Sequence, residues 1–159
     1  MSKILGIDEA GRGPVIGPLV MCGVSIKEED EKELVKLKVK DSKLLTKEKR
    51  EYMFDKIQDI SYKYEVIVVS PDEVDKAVNN HDGLNLNRLE ARKSAEIINL
   101  LNPDKAIIDA PSNNISSFRE YISNYIKNKK LELILEHKAD MKYPIVSAAS
   151  IIAKVTRDR

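Results

Sequence analysis

The chain opens on an apolar run that ends in two acids and a glycine-rich turn, Gly6-Ile7-Asp8-Glu9-Ala10-Gly11-Arg12-Gly13-Pro14. Residues 3–8 are typical of a buried strand, and the Gly-Arg-Gly-Pro sequence that follows cannot continue it. Asp8 and Glu9 are therefore expected where a strand leaves the core. Neighbouring side chains on a strand point to opposite faces, so both acids can serve one site only if the backbone bends there, as glycine permits.

This pair of acids has two interpretations. Exposed acids are common where a strand meets a solvated loop. Alternatively, a hard divalent cation such as Mg²⁺ or Mn²⁺ offsets the cost of burying two carboxylates, because these ions prefer carboxylate oxygens. The adjoining Gly11-Arg12-Gly13 supplies backbone N–H donors and a guanidinium for a phosphate beside such a metal.

Composition limits the classes of protein to which the chain can belong. Its 159 residues suffice for one domain, and 42% hydrophobic residues with mixed charge are typical of a soluble globular protein. The net charge of +1 provides no global field for nucleic acid, so any such surface must be a local patch. We see no signal peptide or membrane-length apolar run, and we expect a cytoplasmic monomer without a membrane partner. The single Cys22 excludes an internal disulfide and is expected to be buried.

The order of the predicted elements indicates the fold class. Strands are predicted over residues 3–8, 18–26, 62–69, 105–109 and 131–136. Helices are predicted after Thr46 (with Met53, Ile57 and Ile60 inward), over 70–79, over 84–101, after Asn114 (with Ile115, Phe118, Ile122 and Tyr125 inward) and over 147–159, while residues 27–40 are a solvated helix or a loop. This order predicts an α/β fold with a mixed sheet and helices on both faces, in a single domain.

Two further acids follow predicted strands. Asp109 ends the run Ala106-Ile107-Ile108, and Asp140 lies shortly past the last strand. If the strands ending in Asp8 and Asp109 are parallel neighbours, their carboxylates meet beyond the carboxyl ends of the sheet. Each acid alone is explained by a solvated loop or a helix cap. Together they favour a site for two divalent cations roughly 4 Å apart, which activates water for attack on a phosphodiester.

Basic and polar groups near these acids favour a phosphate substrate. On the last helix, one stripe at about 100° per residue carries Ser147, Ser150, Lys154 and Arg157, and another predicted to face the core carries Ala148, Ile152 and Val155. The polar stripe is either a solvated face or a phosphate-binding one. Asp41-Ser42-Lys43 is either a phosphate clamp or a turn at the start of a helix. Lys138 either contacts substrate or pairs with a neighbouring acid.

Taken together, the motifs resemble type 2 ribonuclease H, ribonuclease HII, in its archaeal form. The matching segments span nearly the whole chain in the family's order: 6–14, Asp41-Ser42-Lys43-Leu44-Leu45, Ile108-Asp109, Lys138-Ala139-Asp140, 147–155 and Arg157-Asp158. The resemblance implies a ribonuclease H-like mixed five-stranded sheet flanked by helices. It also implies endonucleolytic cleavage of RNA in RNA–DNA hybrids and at single ribonucleotides in duplex DNA, with 3′-hydroxyl and 5′-phosphate products.

The same resemblance implies roles for individual residues. The family's four catalytic, metal-binding acids correspond to Asp8, Glu9, Asp109 and Asp140, with Mg²⁺ or Mn²⁺ as cofactor. The loop Gly11-Arg12-Gly13 corresponds to the element that recognises the ribose 2′-hydroxyl through backbone groups, the group that distinguishes RNA from DNA. Ser42 and Lys43 correspond to phosphate contacts.

The family usually continues past this last helix into a helical segment that brings a tyrosine to the junction sugar, whereas this sequence stops at Arg159. The expectation is a single catalytic domain over residues 1–159 without that extension. The alternatives are a weakened or inactive nucleic-acid-binding core, a DNA-cutting nuclease or resolvase of the same fold, and a small nucleotide-binding α/β protein. The last ranks low because the Gly-Arg-Gly loop lacks a P-loop or dinucleotide pattern.

Overall fold

A computed structural model describes residues 2–11, 17–40, 45–79, 85–111 and 113–159. Its centre is a five-stranded mixed sheet, which confirms the predicted fold class. The strands are β1 (Lys3–Ala10), β2 (Leu19–Lys27), β3 (Lys63–Val69), β4 (Lys105–Asp109) and β5 (Glu132–Glu136).

The strands lie in the order β3-β2-β1-β4-β5. The first three are antiparallel neighbours, while β4 runs parallel to both β1 and β5. Three parallel strands therefore end at the same edge of the sheet. The expectation that the strands carrying Asp8 and Asp109 are parallel neighbours is confirmed, although β1 extends two residues past Asp8, to Ala10.

Helices cover both faces of the sheet. They are α1 (Glu31–Leu37, after a 3₁₀ turn at Glu28–Asp30), α2 (Lys47–Ile60), α3 (Pro71–Val78), α4 (Leu86–Leu101), α5 (Ile115–Ser123), α6 (Ala139–Lys142) and α7 (Pro144–Asp158). Alternate residues of β1 divide between two cores, with Ile4 in the core formed by α1, α2 and α7 and Leu5 in the core formed by α3, α4 and α5. This division follows from the two-residue period of a strand.

The helix most closely tied to the site is α7, which packs flat against β1. Residues 145–153 of α7 are all buried. A side chain at Gly6 would place its Cβ 2.5 Å from the backbone oxygen of Ile145, so the strand and the helix meet through bare backbone. This close approach holds the N-terminal half of α7 directly over the strand that carries Asp8.

Most predicted elements are present with small shifts at their ends. The hydroxyl of Thr46 accepts from the backbone N–H of Lys49 at 3.3 Å, as expected of a helix cap. Residues 27–40 include a helix, and Cys22 is buried as expected.

Two expectations about helices were wrong. Tyr125 was predicted to face inward, but α5 ends at Ser123, so Tyr125 lies past its periodic face and is 42% exposed. The last helix begins at Pro144, earlier than predicted, and the separate α6 carries Asp140. In the described part of the chain, no helix combines the length and the apolar character needed to cross a bilayer.

Candidate metal centre

The site begins with the pairing of β1 and β4. Ile7 lies opposite Ile108 in the parallel register, so Asp8 and Asp109 are the next residues on the two strands. Both side chains leave the sheet on the face covered by α7, opposite the one on which Ile7 and Ile108 are buried. The register of one strand pair therefore places two carboxylates side by side.

Asp140 reaches the same point by a sharp turn after β5. Lys138 has a left-handed backbone (φ 54°), and its N–H donates to the Asp109 carboxylate at 3.1 Å. The chain thus folds back over Asp109 before α6 begins. One carboxylate oxygen from each of Asp8, Asp109 and Asp140 lies within 4.8 Å of the others. The structure therefore brings together three of the four predicted acids.

Burial and mutual repulsion favour the neutral forms of Asp8 and Asp109. Removal from water, followed by the charges of Asp109 and Asp140, raises the pKa of Asp8 to about 8, although the Glu9 N–H and the Ser150 hydroxyl oppose this rise. Burial and the charge of Asp140 raise the pKa of Asp109 to about 6. Three carboxylates without a positive counterpart would repel one another, so the arrangement favours the binding of a cation.

The donor set fits a hard divalent cation. The three grouped ligands are all carboxylate oxygens, and Mg²⁺ and Mn²⁺ prefer oxygen ligands over the nitrogen and sulfur ligands that suit zinc. Asp8 is 8% exposed, so a bound cation would also shield its carboxylate from the cost of burial.

Glu9 is placed differently from the prediction. The expected bend does not occur, because β1 pairs residue by residue with β2 through Asp8, Glu9 and Ala10. The pleat therefore directs Glu9 away from Asp8, and its carboxylate is not one of the three grouped within 4.8 Å. Glu9 nevertheless lines the same cavity, and its N–H donates to Asp8 at 2.9 Å.

The four acids line an open cavity of about 470 Å³. The cations Arg50, Lys154 and Arg157 line the same cavity, together with Asp158. A cavity lined by both carboxylates and cations suits a metal-bound phosphodiester, because the carboxylates would hold a metal ion and the cations would bind phosphate oxygens.

The glycine at the end of β1 makes room for one of these cations. Gly11 has φ +97°, which disfavours any residue with a side chain, and an added Cβ would lie 2.5 Å from the Pro18 oxygen and 2.6 Å from Nε of Arg157. The same Nε donates to the Pro18 carbonyl at 3.4 Å. Arg157 thus joins α7 to the start of β2, in space that a side chain at Gly11 would fill.

The polar stripe predicted on α7 is only partly present in the cavity. Ser150, Lys154 and Arg157 line it, and the Ser150 hydroxyl bonds the Asp8 carboxylate. Ser147 is instead 2% exposed, and its hydroxyl donates to the backbone carbonyls of Asp140 and Tyr143. The expectation of a substrate contact by Ser147 gives way to a role in joining α6 to α7, because an earlier helix start moves Ser147 under the turn that carries Asp140.

Four predicted substrate contacts lie outside the described residues, namely Arg12, Gly13, Ser42 and Lys43. Lys138 was expected either to contact substrate or to pair with a neighbouring acid. In the structure its backbone N–H donates to the Asp109 carboxylate.

Arg50 was missed in the sequence. It lies one turn into α2, lines the cavity, and approaches Asp158 of α7 with 3.8 Å between Nη2 and Oδ2. Its Nε is buried without a hydrogen-bond partner in the described part of the chain. The run Lys47-Glu48-Lys49-Arg50 resembles a solvated helix face, and nothing in its spacing distinguishes Arg50 from its neighbours.

Comparison with known proteins is consistent with this geometry. The family model for Ribonuclease HII matches residues 5–159. Ribonuclease HII of Methanocella arvoryzae is 47% identical over 157 residues, which cover 99% of this chain and 68% of that protein.

Two solved structures are similar to the fold. Ribonuclease H2 from Pyrococcus horikoshii is 46% identical with a TM-score of 0.88, and the match covers 99% of this chain and 72% of that one. RNase HII from Archaeoglobus fulgidus, solved in a complex with PCNA, is 42% identical with a TM-score of 0.86, covering 98% of this chain and 72% of that one. The resemblance drawn from the motifs is thereby confirmed, and the chain belongs to the ribonuclease HII family of endoribonucleases.

Proposed function

We propose that the chain is a metal-dependent endonuclease that hydrolyses the RNA strand of RNA–DNA hybrids and cuts at ribonucleotides embedded in duplex DNA. The products are a 3′-hydroxyl and a 5′-phosphate. The observation that carries this proposal is the group of three carboxylates within 4.8 Å of one another, in an open cavity that three cations also line. Membership of the ribonuclease HII family supports the choice of substrate.

The proposed metal ligands and catalytic residues are Asp8, Asp109 and Asp140, with Glu9 as a fourth acid at the rim. We propose Mg²⁺ or Mn²⁺ as the metal, because all the grouped ligands are carboxylates. We propose a two-metal site because four carboxylates in one cavity carry more negative charge than one divalent ion neutralises. When bound, such ions activate water and neutralise charge on the reacting phosphate. The protein's own part is to hold the ligands: β1 and β4 hold Asp8 and Asp109 through their register, and the Lys138 N–H orients Asp109.

The cations that line the cavity are proposed to bind the phosphates of the substrate. Lys154 on α7 and Arg50 on α2 line the cavity together with the acids, and we propose that they contact the phosphate backbone on either side of the reacting bond. Arg157 contributes charge and also holds the loop that begins at Gly11. Ser42 and Lys43 are proposed as further phosphate contacts.

Selection of ribose over deoxyribose is assigned to the loop of Gly11, Arg12 and Gly13. Gly11 lines the same cavity as the acids. Its φ is positive, and this backbone conformation is unfavourable for any residue with a side chain. Backbone N–H and C=O groups can both bond the 2′-hydroxyl, which is a donor and an acceptor. The proposed enzyme is a cytoplasmic monomer with one catalytic domain over residues 1–159.

Three duplexes of equal length test the proposal: an RNA–DNA hybrid, a DNA duplex with one ribonucleotide, and an all-DNA duplex. With Mg²⁺ or Mn²⁺ present, the first two should be cut and the third should not. A DNA polymerase should extend the upstream product directly, because that product ends in a 3′-hydroxyl.

Equal cutting of all three duplexes would contradict the ribonuclease proposal and favour a DNA nuclease of the same fold. Binding of the hybrid without turnover in either metal would favour the alternative of a nucleic-acid-binding core. Asp8→Asn is the matched control, because it preserves the shape of the side chain and removes a metal ligand.

A further inference from the structure

A second basic surface lies on the α4–α5 side of the sheet, away from α7. Arg88 and Arg92 lie one turn apart on α4, and the Tyr121 and Tyr125 rings lie beside them. The Arg88 guanidinium carbon is 5.3 Å from the centre of the Tyr121 ring, and that of Arg92 is 5.6 Å from the Tyr125 ring. The two rings are 5.4 Å apart. These four residues form an arginine–tyrosine strip.

The strip is held in place by backbone contacts behind it. The Asn99 side chain on α4 donates to the Tyr125 carbonyl at 2.8 Å and accepts from the Lys127 N–H at 2.9 Å. These two bonds hold the turn that follows α5 against α4. Each guanidinium therefore lies over a tyrosine ring that the fold holds in place. An arginine held in this way loses less side-chain entropy on binding a ligand than a freely moving surface arginine does.

A cavity of about 160 Å³ opens beside the strip. Arg88 and Tyr121 line it together with the polar residues Asn85, Asn87 and Ser117. Stacking on a ring engages the face of a guanidinium, whereas its N–H donors lie in the plane and suit the paired oxygens of a phosphate. The combination of arginine, amide and hydroxyl groups fits a phosphate better than it fits an apolar ligand.

The strip's cavity lies at the same edge of the sheet as the metal centre. Phe118 lines this cavity and also a small cleft that is lined by Asp8 and Asp109. In the chain, Ile115 at the start of α5 comes six residues after Asp109, which limits the distance between them to about 20 Å. Tyr121 lies six residues further along α5, which adds about 9 Å, so the strip begins within about 30 Å of Asp109, or roughly nine base pairs of a duplex that rises 3.4 Å per base pair.

We infer that the arginine–tyrosine strip binds the sugar–phosphate backbone of the substrate duplex, several base pairs from the bond that is cut. This inference rests on the proposed function, since it takes the occupant of the metal centre to be a nucleic acid duplex. The strip is a positioning site that contributes affinity and salt dependence, whereas the metal centre contributes the chemistry. It contacts phosphates and so reads no sequence.

The test measures binding rather than cleavage. A fluorescent DNA duplex of about 24 base pairs with one central ribonucleotide is titrated with the chain in Ca²⁺, across roughly 50 to 200 mM salt. The double variant Arg88→Ala with Arg92→Ala should bind about tenfold more weakly at the low end of this range. Its log–log salt slope should be shallower by about two, because each arginine that is removed leaves one phosphate of the duplex with its counterions.

The matched control is Arg119→Ala with Lys127→Ala. It removes the same charge from α5 and the turn after it, at exposed residues that do not line the strip's cavity. This control should keep an affinity within about twofold of the parent chain and nearly the same salt slope, because long-range charge alone is screened. If both double variants weaken binding equally, the effect is net charge and the inference is overturned.

Ethylation interference locates the contact on the duplex. Ethylated phosphates several base pairs from the ribonucleotide should weaken binding of the parent chain and should not weaken binding of the strip variant further. The absence of such a phosphate overturns the inference even if cleavage is normal. Conversely, the parent chain could show this interference pattern and yet cut no duplex in Mg²⁺ or Mn²⁺. That result would support the strip as a phosphate-binding site and would refute the proposed function.

Discussion

Asp8 and Asp109 lie side by side at the ends of two parallel strands, one residue past the matched pair Ile7 and Ile108. This relationship exists only because β4, which is distant from β1 in the chain, enters the sheet next to it. The two carboxylates share one face and are within reach of the same cation.

Replacing Asp8 with asparagine should abolish cleavage and greatly weaken metal binding. The substitution keeps the size of the side chain and removes one of three grouped carboxylates. We expect a fall in cleavage rate of at least about a thousandfold, since a directly coordinating group is lost. Calorimetric titration with Mn²⁺ and a single-turnover cleavage assay would measure the two effects. A variant that retains full activity would remove Asp8 from the mechanism.

Without metal, the chain should become more stable as the pH falls from about 8 to about 4. The pKa of Asp8 is about 8 in the folded chain and 3.8 in an unfolded one, so the folded chain binds more protons in this window. The gain in unfolding free energy is on the order of a few kcal/mol at most. Urea denaturation in a chelating buffer at several pH values would measure it.

Asp8→Asn is the control for this pH dependence. Its amide does not titrate, so its stability should change less over the same window, and it should be more stable than the parent chain at pH 9. Metal affinity of the parent chain should rise with pH up to about 8, because protons compete with the ion for Asp8 and Asp109. A flat profile for the parent chain would show that Asp8 is not buried as described.

Gly6→Ala should destabilise the fold. Its Cβ would lie 2.5 Å from the Ile145 oxygen. The neighbouring atoms belong to the backbone of α7 and cannot move aside as a side chain could, so we expect the free energy of unfolding to fall by about 3 kcal/mol. Gly17→Ala is the control, because its Cβ would meet only the end of the Arg157 side chain at 3.3 Å. Thermal unfolding should separate the two variants by several degrees. Equal melting temperatures would contradict the close contact of β1 with α7.

Ser150→Ala and Ser147→Ala should have different effects although the two serines are one turn apart. The Ser150 hydroxyl stabilises the ionised form of Asp8, so its removal should raise the pKa of Asp8 and move the onset of metal binding to higher pH. Ser147 bonds the carbonyl of Asp140, so its loss should cost about 1 kcal/mol of stability. Metal titrations at several pH values would show whether only Ser150→Ala shifts the profile.

Arg50→Ala should weaken binding of the substrate duplex and reduce its salt slope by about one, if Arg50 contacts one phosphate. Lys49→Ala is the control, since Lys49 is its exposed neighbour on α2 and does not line the cavity. Fluorescence anisotropy in Ca²⁺ would measure both variants. If Arg50→Ala and Lys49→Ala have identical salt slopes, the prediction that Arg50 contacts a phosphate is wrong, and the pairing of Arg50 with Asp158 is its described role.

Much of the site was predictable because each acid follows its own strand. The runs before Asp8 and Asp109 are apolar and short, and glycine or proline follows soon after each, so the strands and their ends could be read locally. The helix caps Thr46 and Asn114 were predictable for the same reason, since a cap depends on a hydrogen bond within a few residues.

The contacts that could not be predicted involve distant parts of the chain. Arg50 reaches the cavity because α2 packs beside α7, and no local pattern encodes that packing. Ser147 matched the spacing of Ser150 and Lys154, yet the turn formed by α6 captured its hydroxyl. Glu9 lies beside Asp8 in sequence, and the uninterrupted pairing of β1 with β2 directs it away from the grouped acids.

The sequence by itself determined which segments form strands, to within two residues at their ends, and which acids lie near those ends, because apolar periodicity and glycine or proline act over a few residues. The tertiary structure alone decided which of those acids lie close enough together to hold one cation. Strand order and register join Asp8 to Asp109 across the sheet, and the turn at Lys138 brings in Asp140. Such long-range pairings depend on how two helical layers pack against one sheet, which local sequence patterns do not specify.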